Sequence, residues 1–270
     1  MMLLTVDHVT RYRYDRPVRG VVQSHRLTPS RFDGQKVIDW QVTVSGGLMG
    51  GGFRDGAGDW VQAWTVAGPL TEIEVHVQGR IETHDLSGVL KGHKETVPPQ
   101  TYLRNTGSTM PDDGLRALAE VALRAATPLE GGHALAKAVA DAIAYRPGST
   151  HSHTTAAEAL AQGEGVCQDH AHALIAAARA AGMPARYISG YLHADQDGLA
   201  HEAAHAWAEV YVQGFGWIGF DPANRCCPDA RYILLGSGLD AAYAAPIRGT
   251  SRGGGAESLD VTVAVQMAEQ

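Results

Sequence analysis

From residue 3 to about residue 84 the chain alternates apolar and polar positions with a period of two. Four runs carry the pattern: LLTVDHVTRYRY from Leu3, VIDWQVTVSG from Val37, DWVQAWTVAG from Asp59 and LTEIEVHVQGRIETH from Leu70. β-Branched and aromatic residues dominate them, so each predicts a half-buried strand. Turn chemistry separates the runs: DRPVRG, SRFDGQ, the glycine cluster GGLMGGGFRDGAGD and AGPL. GGLMGGG reads as a flexible turn, because it has neither a strand-to-helix context nor a lysine to hold phosphate. Residues 1–85 are therefore expected to form an antiparallel β domain, a sandwich or open barrel.

The period then changes. Residues 86–110 lose the alternation and contain Pro98-Pro99, which marks a connector. Two helical stretches follow, PDDGLRALAEVALRAA and GGHALAKAVADAIAYRP. Asp112 and Asp113 open the first, where carboxylates favour a helix N-terminus. A further helix is expected from Ala171 to the stop formed by Gly182 and Pro184. Beyond it MPARYISGYLHA reads as a strand and DQDGLAHEA as a polar loop. HAWAEVYV and GWIGFDP read as a hairpin turning at Gln213-Gly214-Phe215-Gly216. SLDVTVAVQM alternates after the linker SRGGGA and is expected to add a last strand to this second sheet. The fold class is α+β: a β domain (1–85), a connector (86–110) and a core (111–270) in which a helix packs on an antiparallel sheet.

Composition narrows the function. Of 270 residues, 44% are apolar and 19% charged, the balance of a globular chain. A net charge of −7 gives no general attraction to nucleic acid or to an anionic membrane. No apolar window approaches the length of a spanning helix, and the start lacks a signal peptide's layout. Three cysteines, of which Cys226 and Cys227 are adjacent, do not make a disulfide framework. A reduced, cytoplasmic protein without nucleic-acid or membrane partners is expected.

Candidate chemistry concentrates around Cys167. Gly163 and Gly165 precede it, so the chain can turn tightly and approach a ligand. The cysteine falls at a helix start, where the dipole and free N–H groups favour an anion and would cradle a tetrahedral oxyanion. Cys167 also shares a helical face with Ala171, Leu174 and Ala178, so a small buried hydrophobe explains it as well. A nucleophile needs a base and the base an orienting group. His205 starts one strand of the hairpin and Asp221 ends the other, which brings them to one edge of the sheet. There a carboxylate would hold one imidazole nitrogen and leave the other for the thiol.

These segments resemble a known family. GVCQDHAHALIAAARAAGMPARYISGYL, AHAWAEVYVQGFGWIGFDPAN and the upstream AYRPGST are similar to the core of the bacterial transglutaminase-like family, within the papain-like superfamily of cysteine proteases and transglutaminases. HVTRYRYDRPVRGVVQSHRLTPS resembles the β domain that accompanies this core. The resemblance implies Cys167 as nucleophile, His205 as base and Asp221 as orienter. His170 stands where the family more often carries an aromatic, beside the site and outside the triad. The implied activity is acyl transfer from amide bonds of peptides or glutamine-type side chains through a thioester. Hydrolysis is favoured over isopeptide formation because no carboxylate cluster offers to bind an amine. A non-catalytic binding module on the same fold is the alternative of another class.

His201-Glu202-Ala203-Ala204-His205 also spells the H-E-x-x-H zinc signature. That motif works on a helix, and AWAEVYV alternates like a strand. On a strand, residues four apart separate by roughly 13 Å, too far to share one ion at about 2 Å from each. His201 and Glu202 are then loop residues. His151, His153, His170 and His172 read as solvated or structural, for want of accompanying carboxylates or cysteines. No calcium loop is evident, and no metal or cofactor is expected. Trp207, two residues after His205, is expected to shield the site or line an acyl pocket. Tyr145 is a second substrate-contact candidate. Cys226 and Cys227, just past Asp221, read as two partly buried thiols.

Overall fold

The computed structural model describes residues 1–193 and 204–268. Its first sheet is built on two very long strands, β1 (Met2–His25) and β4 (Trp60–Thr83), which pair antiparallel along most of their length. Strands β2 (Gln35–Val44) and β3 (Gly47–Arg54) share the other edge of β4. DRPVRG and AGPL, expected as turns, lie inside β1 and β4. The ladder slips there, between Arg13 and Val18 and between Val18 and Gly20. Proline offers no N–H to a ladder. Pro17 and Pro69 therefore sit where pairing bulges, and a bulge bends a ribbon without reversing it. GGLMGGG is likewise corrected from flexible turn to edge strand, since ladder bonds come from the backbone and need no side chains.

The connector holds two short 3-10 turns, Pro99–Leu103 and Gly107–Thr109. Helices α1 (Asp113–Leu123) and α2 (Pro128–Ala142) follow, capped by the Asp112 and Thr127 side chains. A two-residue strand β5 (Ala144–Tyr145), helix α3 (Ala156–Gln162) and strand β6 (Glu164–Gly165) lead into helix α4 (Cys167–Ala180). The second sheet contains β7 (Ala185–Leu192), β8 (Ala204–Val212), β9 (Gly216–Phe220) and β10 (Tyr232–Gly238) in the order β10-β7-β8-β9. Along β8, Ala206, Ala208, Val210 and Val212 pack into the same core as α4. Trp207 belongs to a separate cluster with Ile188 and Leu234, and Tyr211 packs with Trp217. This is the period-two division read from the sequence.

The C-terminus departs from expectation. Strands β11 (Ile247–Arg252) and β12 (Glu257–Met267) do not extend the core sheet; both pair with β1. The register runs from Leu4↔Met267 to Tyr14↔Glu257, then from Gly20↔Arg252 to His25↔Ile247. β1 has an open edge long enough for two strands. On the core sheet, Val89 of the connector bridges Ile218 at the β9 edge. The first sheet is thus closed by the last residues of the chain, and the core extends only to β10.

Buried polar bonds fasten the two sheets. The Gln35 side-chain amide donates to Leu234 O (2.8 Å) while its oxygen accepts from Leu234 N (3.0 Å), imitating a strand partner. Asp59 accepts from the Ser30 hydroxyl (2.6 Å) and from Ser237 N (2.7 Å). Deeper, Arg186 of β7 donates to Glu209 of β8 and to Glu95 of the connector, both at 2.7 Å. Its guanidinium lies 4.2 Å from the Trp217 ring centroid. Burial favours the neutral form of Arg186, yet the two carboxylates win and raise its pKa. Removing one partner of a buried pair leaves an uncompensated charge. Glu209→Gln is therefore expected to lower the unfolding free energy by about 3 kcal/mol, measured by denaturant titration. A loss below about 1 kcal/mol, the range of a solvent-screened pair, would refute the buried-charge account.

Candidate active site

The approach to Cys167 is shaped by Gly165 and Asp169. Asp169 Oδ2 accepts from Val166 N (2.8 Å) and from the Thr150 hydroxyl (2.6 Å), which caps α4 one residue before the cysteine. A Cβ on Gly165 would stand 2.7 Å from the Asp169 Cβ, so this close turn requires glycine. Cys167 opens the helix, in the first turn, whose N–H groups have no intrahelical acceptor. It is buried, with 9% of its surface exposed.

The structure brings His205 and Asp221 to the same point. His205 is the second residue of β8, and Asp221 follows the end of β9. His205 Nε2 donates to Asp221 Oδ2 at 2.6 Å, and Cys167 lies close enough for its charge to act on the imidazole. Their side chains are 7% and 0% exposed, so water screens the pair little. Burial works against an imidazolium here. The hydrogen bond to Asp221, with the negative charges of Asp221 and Cys167, outweighs it and raises the His205 pKa to about 10. Burial likewise opposes the Asp221 carboxylate, but bonds and charge from His205, then Asn224 and Tyr232, hold it below the ordinary range.

Two residues of this site escaped the sequence reading. Asn224 gives Asp221 a side-chain bond (2.7 Å, to Oδ2) and a backbone one (3.2 Å, to Oδ1). Its place three residues after Asp221, in the loop closing the hairpin, was a local signal. The Tyr232 hydroxyl donates to Asp221 Oδ2 at 2.8 Å, and its ring lies 5.9 Å from His205. Tyr232 stands on β10, and nothing in its neighbourhood along the chain announces it. Cys226 returns to the same place: its backbone exchanges two bonds with Asp221, and its Sγ is 3.3 Å from the Tyr232 hydroxyl. Burial raises the pKa of both trailing thiols, that of Cys227 to about 11.

The other candidates separate clearly. Trp207 is 2% exposed, stacked 6.3 Å from His205 and edge-on to Tyr232 at 5.4 Å. A Cβ on Gly190, the residue paired with His205, would stand 2.6 Å from the Trp207 ring. Trp207 thus packs behind the imidazole, and it also lines a recess with Phe32, Leu90 and Tyr232. Tyr145 is half-buried on β5, paired with Gly165 of β6 two residues before Cys167. His170 and His172 are buried in α4: the ring nitrogens of His170 stand 2.9 Å from the carbonyls of Val166 and Ile143. Burial lowers the His172 pKa to about 4, consistent with its Nε2 accepting from Ala241 N. His151 and His153 are exposed.

For the zinc signature, Ala204 and His205 are strand residues, not helical, while His201 and Glu202 lie outside the described residues. Among the described residues no group of three His, Cys, Asp or Glu side chains is placed to hold a metal. Among them, too, no helix is long and apolar enough to cross a membrane.

The ion pair has a pH signature. A histidine with a raised pKa stabilises the fold fully below its ordinary value of 6.5 and loses that contribution as pH climbs toward about 10. A carboxylate held low contributes above its ordinary value of 3.8 and loses it as pH falls through the depressed one. The pair's contribution is therefore complete between about pH 4 and pH 6.5. Denaturant unfolding of the wild type is expected to weaken from pH 6.5 toward 10, and His205→Gln to flatten this limb. Identical alkaline limbs would show that His205 is not held protonated.

Similarity searches agree with this architecture. Residues 116–222 match the transglutaminase-like superfamily core, and residues 4–82 match the bacterial transglutaminase-like N-terminal region. An uncharacterized protein of Mycobacterium leprae is 30% identical, with 98% of this chain and 99% of that protein covered. An uncharacterized protein of Mycobacterium tuberculosis is 30% identical over 90% of this chain and 86% of its own length. Among solved structures, a candidate cysteine protease from Cytophaga hutchinsonii superposes with a TM-score of 0.77 at 21% identity, covering 100% of this chain and 91% of that one. That likeness extends the shared fold to the whole chain, β domain included. With its N-terminal sheet, its buried helix α4 and its antiparallel core sheet, the chain belongs to the transglutaminase-like superfamily and carries the bacterial N-terminal region of that family.

Proposed function

We propose that this protein is a thiol-dependent acyl-transfer enzyme acting on amide bonds of peptides or glutamine-type side chains. The observation that supports the reading is the little-screened His205–Asp221 hydrogen bond, with Cys167 close enough for its charge to act on the imidazole. Cys167 acts as the thiolate of an ion pair with the His205 imidazolium, and its sulfur attacks the amide carbonyl. A C–S bond forms, and the carbonyl oxygen takes up the negative charge in reach of the Cys167 N–H. His205 then gives its proton to the leaving nitrogen as the C–N bond breaks, which leaves a thioester. An incoming water gives its proton to the now neutral His205 and attacks the thioester; the C–S bond breaks, the acid leaves, and the thiolate–imidazolium pair is restored. Asp221 keeps the imidazole oriented throughout and does not itself change protonation.

Hydrolysis is favoured over transfer to an amine: among the described residues no carboxylate cluster beside Cys167 offers to seat an ammonium group. Tyr145, ahead of the nucleophile segment, is the proposed substrate contact. The cytoplasm is the proposed place of action, supported by three free thiols.

Iodoacetamide at mildly acidic pH is expected to label Cys167 much faster than Cys226 or Cys227, both of which burial keeps protonated. Cys167→Ala should abolish the fast phase and His205→Gln should slow it. Equal rates at all three thiols would refute the catalytic assignment and favour a binding module on the same fold. A panel of peptides and glutamine amides, with and without a primary amine, then separates ammonia release or peptide cleavage from amine incorporation.

A further inference from the structure

The N-terminal sheet and the connector enclose a groove that plays no part in the triad. Two adjoining recesses, of about 490 Å³ and 590 Å³, share Arg31 and Arg54 in their walls. Lys94 lines the first and Lys36 the second. No ion pair joins any of these four cations to an acid among the described residues. Asp33 is the acid of the first recess, and Asp39, in the second, is occupied by Arg80. Three or four positive charges thus face one or two negative ones, in a chain whose net charge is −7.

The cations are crowded and their frame is rigid. Arg54 loses part of its hydration, and the nearby charge of Arg31 pushes its pKa down further. Asp59 offsets part of this repulsion at Arg54, and positive charges that outnumber the nearby acids favour an added anion. Backbone and ring bonds hold the three segments that carry them. Asp33 N donates to Lys91 O (2.8 Å), and Thr96 N and Val97 N donate to Gly56 O (2.9 and 3.1 Å). The His93 ring stands 2.7 Å from Ala57 O and 3.3 Å from Arg31 O. Arg54 donates to Gly58 O at 2.7 Å, and its guanidinium lies 5.8 Å from the Trp60 ring centroid. Trp40 and Trp60 give the second recess an aromatic wall beside these charges. Planar guanidinium groups pair with oxyanions in a forked geometry that lysine alone does not provide.

We propose that this groove is a binding site for an oxyanion-bearing ligand, phosphate or carboxylate, held between Arg31 and Arg54. It would give the N-terminal sheet a recognition role separate from the acyl chemistry. Phosphate, pyrophosphate and citrate, titrated into the full chain at constant ionic strength, are the probes, with calorimetry and tryptophan fluorescence as readouts. At least one is expected to bind saturably. Preference for the phosphates would assign phosphoryl groups as the ligand chemistry, and preference for citrate would assign carboxylates. The double variant Arg31→Gln/Arg54→Gln should weaken binding at least about tenfold, the loss expected of charge-assisted hydrogen bonds. Its unfolding midpoint and its Cys167 alkylation should match those of the parent. Absence of saturable binding by all three probes, a response reproduced by sodium chloride, or equal binding by the double variant would overturn the proposal. None of those outcomes touches Cys167 labelling, so the two readings fail separately.

Discussion

Everything at the candidate active site depends on helix α4 being covered on every side. Twelve of its fourteen residues are buried. A helix in that position must be narrow, and alanines from Ala171 to Ala178 let the sheet and helices α1 to α3 close around it. Its ends are fastened by charge. Asp169 caps the start, while Arg179 near the end donates to the carbonyls of Tyr102, Ala185 and Leu239 and to the Thr109 hydroxyl. A carboxylate at the first turn and a cation at the last both suit the helix dipole. Cys167 consequently has little freedom to drift from His205.

The second fixed point is the Asp221 carboxylate. His205, Asn224 and Tyr232 all give hydrogen bonds to its Oδ2. A buried carboxylate with so many donors stays ionised, and an ionised partner holds the imidazole in one orientation. The backbone pairing of Asp221 with Cys226 and the ring of Trp207 behind His205 make this a packed wall. Trp207 and Cys226 therefore support the array structurally.

Much of this was legible from the chain. Alternation along β8 separated Ala206, Ala208 and Val210 from Trp207, and the glycines before Cys167 located the helix start. The failures share a cause. Pro17 and Pro69 look like turn residues in isolation, and only the partner strand determines whether a proline reverses the chain or bulges within a ladder. The last strand alternates correctly, yet alternation says which face is buried and not which neighbour is bonded. Tyr232 belongs to the Asp221 site through pairing of β10 with β7, a relation that leaves no mark on the residues around it.

The sequence by itself determined the class of fold and the family resemblance and singled out Cys167, His205 and Asp221, because those follow from local periodicity and from motifs compact enough to read. The tertiary structure decided which strands share a sheet, that the C-terminus completes the first sheet, and that Asn224 and Tyr232 reach Asp221. It also decided that Arg31 and Arg54 face one groove. Those are long-range pairings, governed by which open edge and which buried charge remain to be satisfied once the chain has folded.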